Sequence, residues 1–331
     1  VLLQLFNFLD EGIYVSADHP IVKEFGLFEI CKQLIEKGGY RKLLIDEVHK
    51  PLNWWEDIKV ISDDYPDVKM VLSGSAAIAL HVLERRAIVS TLNPMSIGEY
   101  LYLSTEKLII SKDEWRDWKE SARFVAVNDV ESEYWKYLKH GGFPPIFKMG
   151  EYDLYETIYS SILKSIREDS VTYLTLSHKK VNAMEELVNI IALSKPGEFS
   201  YTSVASKTGV SKSTIYEVVD ILQRLGIMTF LRPYSPSTAM LRTEPKLLFS
   251  HPNLRYAVCS KLGVEPNLGA IREEHAVYNF KRLGYEAFTV KGIVKSPDYI
   301  IKKGKKIMPV SYTHLRAHET SLHLVCRLLL E

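Results

Sequence analysis

The chain has 331 residues, of which 46% are hydrophobic and 25% are charged, and its formal net charge is +1. This length allows two or three domains with cores of their own, and the composition is typical of a globular protein and not of a disordered one. A net charge near zero excludes a global basic field that would draw the chain onto nucleic acid or an acidic membrane. No apolar run approaches the ~20 residues that span a bilayer, so we expect no membrane partner.

The cysteine pattern favours a reducing compartment. Cys31, Cys259 and Cys326 have neither metal-binding nor disulfide spacing, which predicts a cytoplasmic protein. The apolar start, VLLQLFNFL, lacks a basic leader and a small-residue cleavage site, so it predicts the buried face of a helix and not a signal peptide.

The last 21 residues, 311–331, differ abruptly from the rest of the chain. His314 and His318 have the i, i+4 spacing with which one helix face can chelate a metal ion. The alternative, which we favour, is that this segment resembles translated sequencing-adapter read-through and is not native, so we leave it out of the reasoning on fold and function.

The N-terminal third alternates predicted strands with predicted helices. Strands are predicted at residues 13–17, 42–46, 68–75 and 87–92, the last two being VKMVLSGS and AIVSTL. Helices are predicted over residues 21–37, after Asn53 as N-cap, and from Pro94. Because parallel strands need helix-length connections, this alternation predicts a parallel α/β sheet with helices on both faces.

Farther along, residues 201–228 (YTSVASKTGVSKSTIYEVVDILQRLGIM) have helix-turn-helix spacing. A turn at Gly209 separates the two helices, and GIMTFLRPY is predicted to form a β-wing. The second helix would present its N-terminal residues to DNA, where major-groove readers place base contacts; these are Lys212, Ser213, Thr214 and Tyr216. The alternative is a winged helix that serves only packing or protein contacts.

Two acids, Asp46 and Glu47, follow directly after the predicted strand KLLID. Ligands of a parallel α/β sheet bind beyond the carboxyl ends of its strands. At this place Asp46 can hold Mg²⁺, usually through water, and Glu47 can act as the base or orient the attacking water in phosphoryl transfer. Ser73 and Ser75 follow the next strand, where they could sense a γ-phosphate. The alternative is that the acids cap the next helix and that SGS is a plain turn.

These segments together resemble the archaeal and bacterial AAA-type P-loop ATPases that carry a C-terminal domain of unknown function. The matching segments are LLIDEVHKPLNWW (Walker B), MVLSGSA (sensor 1), LNPMSIGEYL, GGFPPI and ILKSIREDS. The resemblance implies ATP and Mg²⁺ as cofactors of the intact protein. Arg85, Arg86 and Arg167 are candidates for a positive charge that reaches the nucleotide, with surface arginines as the alternative.

The resemblance implies an α/β fold class: a truncated parallel-sheet P-loop NTPase core with a helical lid, a winged helix and a partial nuclease-like α/β segment. The expected ranges are 1–108 for the core, 109–182 for the lid, 183–260 for the winged helix, 261–310 for the PD-(D/E)xK-like segment and 311–331 for the tail. In the nuclease-like segment Glu274 and Asp298 match the helical acid and the motif aspartate. The GxxxxGK[ST] loop would lie directly before Val1, so we expect this chain to lack ATPase activity.

The sequence therefore predicts a fragment of a nucleotide-driven switch with a candidate DNA-binding output module. Its expected partners are a nucleotide, DNA through the winged helix, an unidentified protein and a second copy of the chain. The alternatives are a DNA-associated regulator or nuclease-like defence protein with a secondary ATPase module, and a silent interaction scaffold.

Overall fold

The computed structural model describes residues 2–8, 12–75, 87–105, 130–174, 176–195, 200–234, 245–290 and 297–311. The chain divides into two compact units, Val1–Thr91 and Leu92–Glu331. Each unit is described by itself below. No helix within the described ranges combines the length and the hydropathy that crossing a bilayer requires.

The first unit is built around a sheet of three parallel strands in the order β1-β2-β3. Its elements in chain order are α1 (Leu2–Phe8), β1 (Gly12–Ser16), α2 (Pro20–Phe25), α3 (Leu27–Glu36), β2 (Lys42–Asp46), α4 (Trp54–Asp64) and β3 (Lys69–Leu72). The central strand β2 is apolar, and its middle residues Leu43, Leu44 and Ile45 are fully buried, as is typical of parallel strands that are covered on both faces. The parallel α/β prediction is confirmed for this part of the chain.

Two local predictions in this region are wrong. The helix expected over residues 21–37 is two helices, because Gly26 adopts a positive φ of 85° that ends α2 and begins α3. No strand forms over residues 87–92, where Ile88 is 98% exposed; β-branched residues make a strand only where a neighbouring strand accepts their backbone hydrogen bonds. Asn53 is the N-cap residue of α4 as predicted, although its side chain makes no capping hydrogen bond.

The second unit is mainly helical. Its helices are α5 (Ile97–Thr105), α6 (Val130–Lys136), α7 (Glu151–Lys164), α8 (Ser170–Leu174), α9 (His178–Leu193), α10 (Tyr201–Thr208), α11 (Lys212–Arg224), α12 (Pro252–Leu262) and α13 (Leu268–Arg282). Single π-helical turns follow α6 (Tyr137–Gly141) and α7 (Ser165–Asp169), and a 3₁₀ turn spans Pro144–Phe147.

The helix expected to begin at Pro94 begins at Ile97 instead. Ser96 and Glu99 form a reciprocal capping box: the backbone N–H of Ser96 donates to Glu99 Oε2 at 2.6 Å, and the N–H of Glu99 donates to Ser96 Oγ at 3.1 Å. This pair satisfies two backbone donors that the start of a helix leaves without partners, so it outcompetes the preference of Pro94 for a first helical position.

Helices α10 and α11 form the predicted helix–turn–helix. Gly209 has a left-handed φ of 65° in the turn, and Ser211 caps α11 by accepting the N–H of Thr214 at 3.1 Å. The apolar stripe of α11 faces inward as the 3.6-residue period predicts; its buried members are Ile215, Val218, Val219, Ile221 and Leu222.

Five antiparallel strands lie in the described part of the second unit. β4 (Met228–Leu231) pairs with β5 (Lys246–Phe249), and β6 (Glu286–Thr289), β7 (Tyr299–Lys303) and β8 (Lys306–Val310) form a meander. The chain beyond β4 joins the two sheets, since the N–H of Thr289 donates to Arg232 O at 3.0 Å and the N–H of Tyr234 donates to Thr289 O at 2.7 Å. A shared apolar core with α13 lies on one face of these strands.

Candidate functional site

The parallel strands of the first unit bring the predicted acids and Ser73 together at their carboxyl edge. Asp46 is the last residue of β2, and its register partner on β1 is Ser16. Ser73 is fixed beside it by the backbone: its N–H donates to Ile45 O and its carbonyl accepts from the N–H of Val48, each at 2.9 Å. Strand β2 therefore presents its terminal carboxylate between residues of both neighbouring strands.

The Asp46 carboxylate accepts a hydrogen bond on each oxygen. The hydroxyl of Ser73 donates to Oδ1, and the hydroxyl of Tyr14 donates to Oδ2 at 2.7 Å. Desolvation is the largest influence on Asp46 and would raise its pKa, but the hydrogen bonds from Ser73 and Tyr14, together with one from the backbone of Glu47, help to hold the pKa below its ordinary value. The bond to Asp46 is also the main cause that raises the pKa of Tyr14 to about 12, so the phenol is a donor at neutral pH.

Glu47 lies just beyond the strand in a left-handed backbone conformation, with φ 52°. A residue with a Cβ pays about 1–3 kcal/mol for such a conformation, and such residues cluster at functional sites. The turn directs the Glu47 carboxylate towards two polar groups. Ser75 Oγ donates to Oε2 at 3.4 Å, and Nε2 of the buried His49 lies 3.5 Å from the same oxygen.

The oxygen-rich edge suits a hard divalent cation. Asp46 offers carboxylate lone pairs, and the hydroxyls of Ser73 and Tyr14 are adjacent. Mg²⁺ prefers such ligands and retains several waters, so one or two carboxylates together with substrate phosphates complete its shell. Within the described ranges, no group of three or more His, Cys, Asp or Glu side chains is arranged so that it could hold a metal ion by itself. The donor set thus fits a cation that arrives with its own oxygen ligands better than a closed protein cage.

The described structure does not test whether the three predicted arginines reach this edge of the sheet. Arg85 and Arg86 fall in residues 76–86, outside the described residues. Arg167 lies in the π-helical turn of the second unit and forms a two-pronged ion pair with Glu185 of α9, with Nε–Oε1 at 2.6 Å and a second bond to Oε2 at 2.8 Å. The role of Arg167 as a nucleotide-contacting residue stays a prediction.

The residues predicted to read DNA lie at the N-terminal end of α11, but two of their hydroxyls are engaged. Ser213 Oγ and Thr214 Oγ1 lie 2.7 and 2.8 Å from Ser211 Oγ. Tyr216 packs against Tyr201, with ring centroids 3.9 Å apart and ring planes inclined by 32°, and it keeps 48% of its surface exposed. Exposed Lys212 begins the helix.

The two residues matched to a nuclease site have separate surroundings. Glu274 is fully buried and accepts bonds on Oε1 from the Arg255 guanidinium at 2.7 and 2.9 Å and from the N–H of Phe249 at 3.0 Å. Burial raises the pKa of Glu274, although Arg255 opposes the shift. Asp298 is half-buried and accepts a bond from Ser311 Oγ at 2.9 Å. Arg255 and the N–H of Phe249 engage one carboxylate oxygen of Glu274 within the second unit, and the nuclease-like roles of Glu274 and Asp298 stay predictions.

The sequence reasoning missed Tyr14 and His49. Tyr14 lies in the middle of an apolar strand, 32 residues before Asp46. Nothing in the neighbouring sequence indicates that its hydroxyl contacts the site. One signal was present: Tyr14 and Ser16 share a face of β1 by the two-residue period, and an in-register parallel neighbour of KLLID would place that face beside Asp46. His49 is two residues after Glu47, and its burial could not be read from a turn sequence.

Comparisons with known proteins agree with the broad class of domains that the sequence predicts. A family model described as an AAA domain matches residues 1–101, and one described as a domain of unknown function (DUF8612) matches residues 131–267. A curated relative, uncharacterized protein MJ1637 of Methanocaldococcus jannaschii, is 25% identical over 268 residues, which is 76% of this chain. The chain spans 56% of that relative's length. No solved structure matches.

These findings support an AAA-type, ATPase-like domain in residues 1–101 and a domain of unknown function in residues 131–267. The prediction is confirmed at that level, and the mixed α/β architecture with a parallel sheet is consistent with a P-loop-like core. The winged-helix and nuclease-like assignments, the domain ranges and the partners stay predictions.

Proposed function

We propose that the intact protein binds Mg²⁺–ATP at the carboxyl edge of the β1-β2-β3 sheet and hydrolyses it as a nucleotide-driven switch. The observation that supports this most directly is the acidic pair Asp46–Glu47 at the end of the central strand, with Ser73 donating to Asp46. The match of residues 1–101 to an AAA domain supports the same reading.

Asp46, Glu47 and Ser73 would have different roles, according to their positions at the sheet edge. Mg²⁺, when bound, would neutralise phosphate charge. Asp46 holds the cation's water shell because both of its oxygens are already oriented by hydroxyl donors. Glu47 projects from a strained turn, where a carboxylate can accept a proton from, or orient, an attacking water. Ser73 joins this edge through its backbone and responds to any change at Asp46.

The chain contains no GxxxxGK[ST] motif, whose backbone N–H groups and lysine would cradle the phosphates. We therefore expect the 331-residue chain to bind ATP poorly and the protein extended upstream by its natural sequence to bind it well. Micromolar ATP affinity of the chain alone, measured by calorimetry, would contradict this expectation. An upstream sequence without that motif would contradict the ATP site itself.

The catalytic assignment is tested by Glu47→Gln in the extended protein. We expect ATP binding to persist and turnover to fall by about a hundredfold or more, because the amide cannot take a proton. Glu56→Gln is the matched control, since Glu56 is an exposed carboxylate on α4. Unchanged turnover in Glu47→Gln would favour the scaffold alternative.

A second candidate function is DNA binding by the second unit. The arrangement that favours it is a helix–turn–helix with an antiparallel hairpin directly after α11, and with Lys212 and Tyr216 exposed near the start of that helix. We expect Lys212→Glu to weaken duplex binding and to reduce its salt dependence by about one phosphate contact. Lys179→Glu, on the exposed start of α9, is the control. Duplex binding by the two variants would be measured by fluorescence anisotropy at two salt concentrations. If Lys212→Glu and Lys179→Glu weaken binding equally, α11 does not read a DNA groove.

A further inference from the structure

Two hydroxyls from different strands hold the carboxylate of Asp46. Ser73, after β3, was expected at this edge, whereas Tyr14 of β1 has no assigned role. The Tyr14 hydroxyl donates to Asp46 Oδ2 at 2.7 Å, on the oxygen that Ser73 does not use. A carboxylate has about four lone-pair positions, so two donors leave capacity for a cation's water shell.

The sheet explains why Tyr14 reaches Asp46. Tyr14 is paired in register with Leu44, so Asp46 lies two residues farther along the neighbouring strand and on the same face. Side chains in strands lean along the strand, and an aromatic ring spans the diagonal separation of about 7–8 Å. A phenylalanine would fill the same space without the hydroxyl.

We propose that Tyr14 is a positioning residue for the divalent cation at Asp46, fixing the carboxylate so that its remaining lone pairs meet the cation's water shell. This inference rests on the proposed function. An aspartate at a half-exposed sheet edge can otherwise rotate about its terminal torsion, which has broad minima. Hydrogen bonds that orient a metal-binding carboxylate typically contribute 10–100-fold to metal affinity or activity, and we place Tyr14 in that class.

The competing explanation is that the Tyr14 bond only stabilises the fold. The same unit contains a matched pair that tests it. Tyr65, just after α4, donates its hydroxyl to Glu36 Oε1 of α3 at 2.6 Å. Tyr14→Phe and Tyr65→Phe therefore remove the same kind of phenol–carboxylate bond, and only the first involves Asp46.

The first experiment uses the 331-residue chain and Mn²⁺ as the probe, with free Mn²⁺ measured by electron paramagnetic resonance. We expect Asp46→Asn to abolish the site, Tyr14→Phe to weaken Mn²⁺ binding about tenfold, and Tyr65→Phe to leave it unchanged. Equal binding by Tyr14→Phe and the parent, or equal weakening in both tyrosine variants, would overturn the inference while leaving the cation site intact. Unchanged binding in Asp46→Asn would instead overturn the proposed cation site, and Tyr14's role with it.

A second measurement needs no variant that might misfold. With ¹³C-labelled tyrosine, Mn²⁺ should broaden the ring signals of Tyr14 and leave those of Tyr65 sharp. Broadening of neither ring at saturating Mn²⁺ would overturn the placement of the cation. In the upstream-extended protein, Tyr14→Phe should raise the Mg²⁺ concentration for half-maximal turnover about tenfold with little change in the KM for ATP. A change in the KM alone would point to a general disturbance and refute a positioning role.

Discussion

His251 of the second unit is predicted to make the protein acid-sensitive. Its ring is fully buried at the start of α12, where Nδ1 accepts the N–H of Asn253 at 3.3 Å. The ring proton therefore sits on Nε2, which lies 3.4 Å from the hydroxyl of Tyr137; that hydroxyl donates onward to Met95 O at 2.9 Å. A second ring proton would place a donor against the donor of Asn253, so the neutral form belongs to the folded state.

His275 has the same constraint. Asn279 Nδ2 donates to the His275 carbonyl at 2.9 Å and lies 2.8 Å from its Nε2, so Nε2 is an acceptor and Nδ1 faces the hydroxyl of Tyr134 at 3.1 Å. Burial lowers the pKa of His251 to about 3 and the pKa of His275 to about 4.

The sign and size of the pH effect follow from linkage. Both pKa values are lower in the folded state than in the unfolded chain, so the unfolded state binds more protons and the free energy of unfolding falls as the pH drops. The loss begins near the unfolded pKa of about 6.5 and is complete below the folded values. At about pH 5 the pH is roughly 1.5 units below the pKa of a histidine in the unfolded chain. Protonation of that histidine then stabilises the unfolded state by about 2 kcal/mol per residue.

The perturbation that isolates this effect is His251→Asn. Asparagine keeps an N-cap acceptor for Asn253 and does not titrate in this range. We expect the variant to lose about 2 kcal/mol less stability than the parent chain between about pH 7 and pH 5, because one of the two buried histidines has been removed. Other titrating groups, such as Glu274, contribute equally to both proteins and cancel in the comparison.

The assay is urea unfolding at both pH values, read by hydrogen-exchange mass spectrometry of peptides from α12 and α13, so that the second unit is followed separately from the first. His178→Gln is the control, since His178 is exposed at the start of α9, and it should keep the pH dependence of the parent chain. If His251→Asn shows the same loss of stability on acidification as the parent chain, the reasoning on buried neutral histidines is refuted.

Three further substitutions test the packing of the second unit. Gly142→Ala should destabilise it by about 1–3 kcal/mol in urea unfolding, because an added Cβ would overlap the ring of His251 and lie 2.6 Å from Asn253 Oδ1. Glu274→Gln should cost about 3–5 kcal/mol in the same assay by leaving the buried Arg255 without its counter-charge. Ser211→Ala should cost about 1 kcal/mol through loss of the α11 cap, and peptides of that helix should exchange faster.

Each of these variants has a matched control. Gly150→Ala adds a Cβ whose nearest neighbour is 4.0 Å away, and it should be nearly neutral. Glu286→Gln removes an exposed carboxylate, and Ser213→Ala removes a hydroxyl that contacts the Ser211 hydroxyl, while the backbone cap of α11 is made by Ser211. If a control costs as much as its partner, the contact named for that partner does not explain its effect.

The sequence predicted the fold best where a fully apolar segment can be buried in only one kind of element. KLLID is β2 to the residue, because an apolar run bounded by polar ends fits a strand covered on both faces. The prediction failed where the outcome depends on a distant neighbour. AIVSTL has strand-forming residues but no strand lies beside it in the described part of the first unit. The break at Gly26 depends on a positive φ that glycine permits but does not require.

The same contrast holds at the candidate site. Asp46, Glu47 and Ser73 could be grouped from the sequence because carboxyl ends of parallel strands share an edge. Tyr14 could not, because its contact with Asp46 depends on the register of β1 against β2, and a shift of one residue would turn the phenol to the opposite face. Register is a tertiary property, and no local pattern in the chain fixes it.

The AAA-domain match and the compact units end at different places, residue 101 and Thr91 respectively. The last part of the match, residues 92–101, is held within the second unit. Its backbone carbonyls at Pro94 and Met95 accept hydrogen bonds from tyrosine hydroxyls, those of Tyr278 and Tyr137.

The glycine pair of GGFPPI completes this attachment. The N–H of Met95 donates to the carbonyl of Gly142 at 2.7 Å, while the N–H of Gly142 donates to Asn253 Oδ1 at 2.6 Å. The segment LNPMSIGEYL is therefore covalently continuous with the first unit but bonded to the core of the second. The segments LNPMSIGEYL and GGFPPI therefore belong to one hydrogen-bonded arrangement within the second unit, which neither their spacing nor their composition indicates.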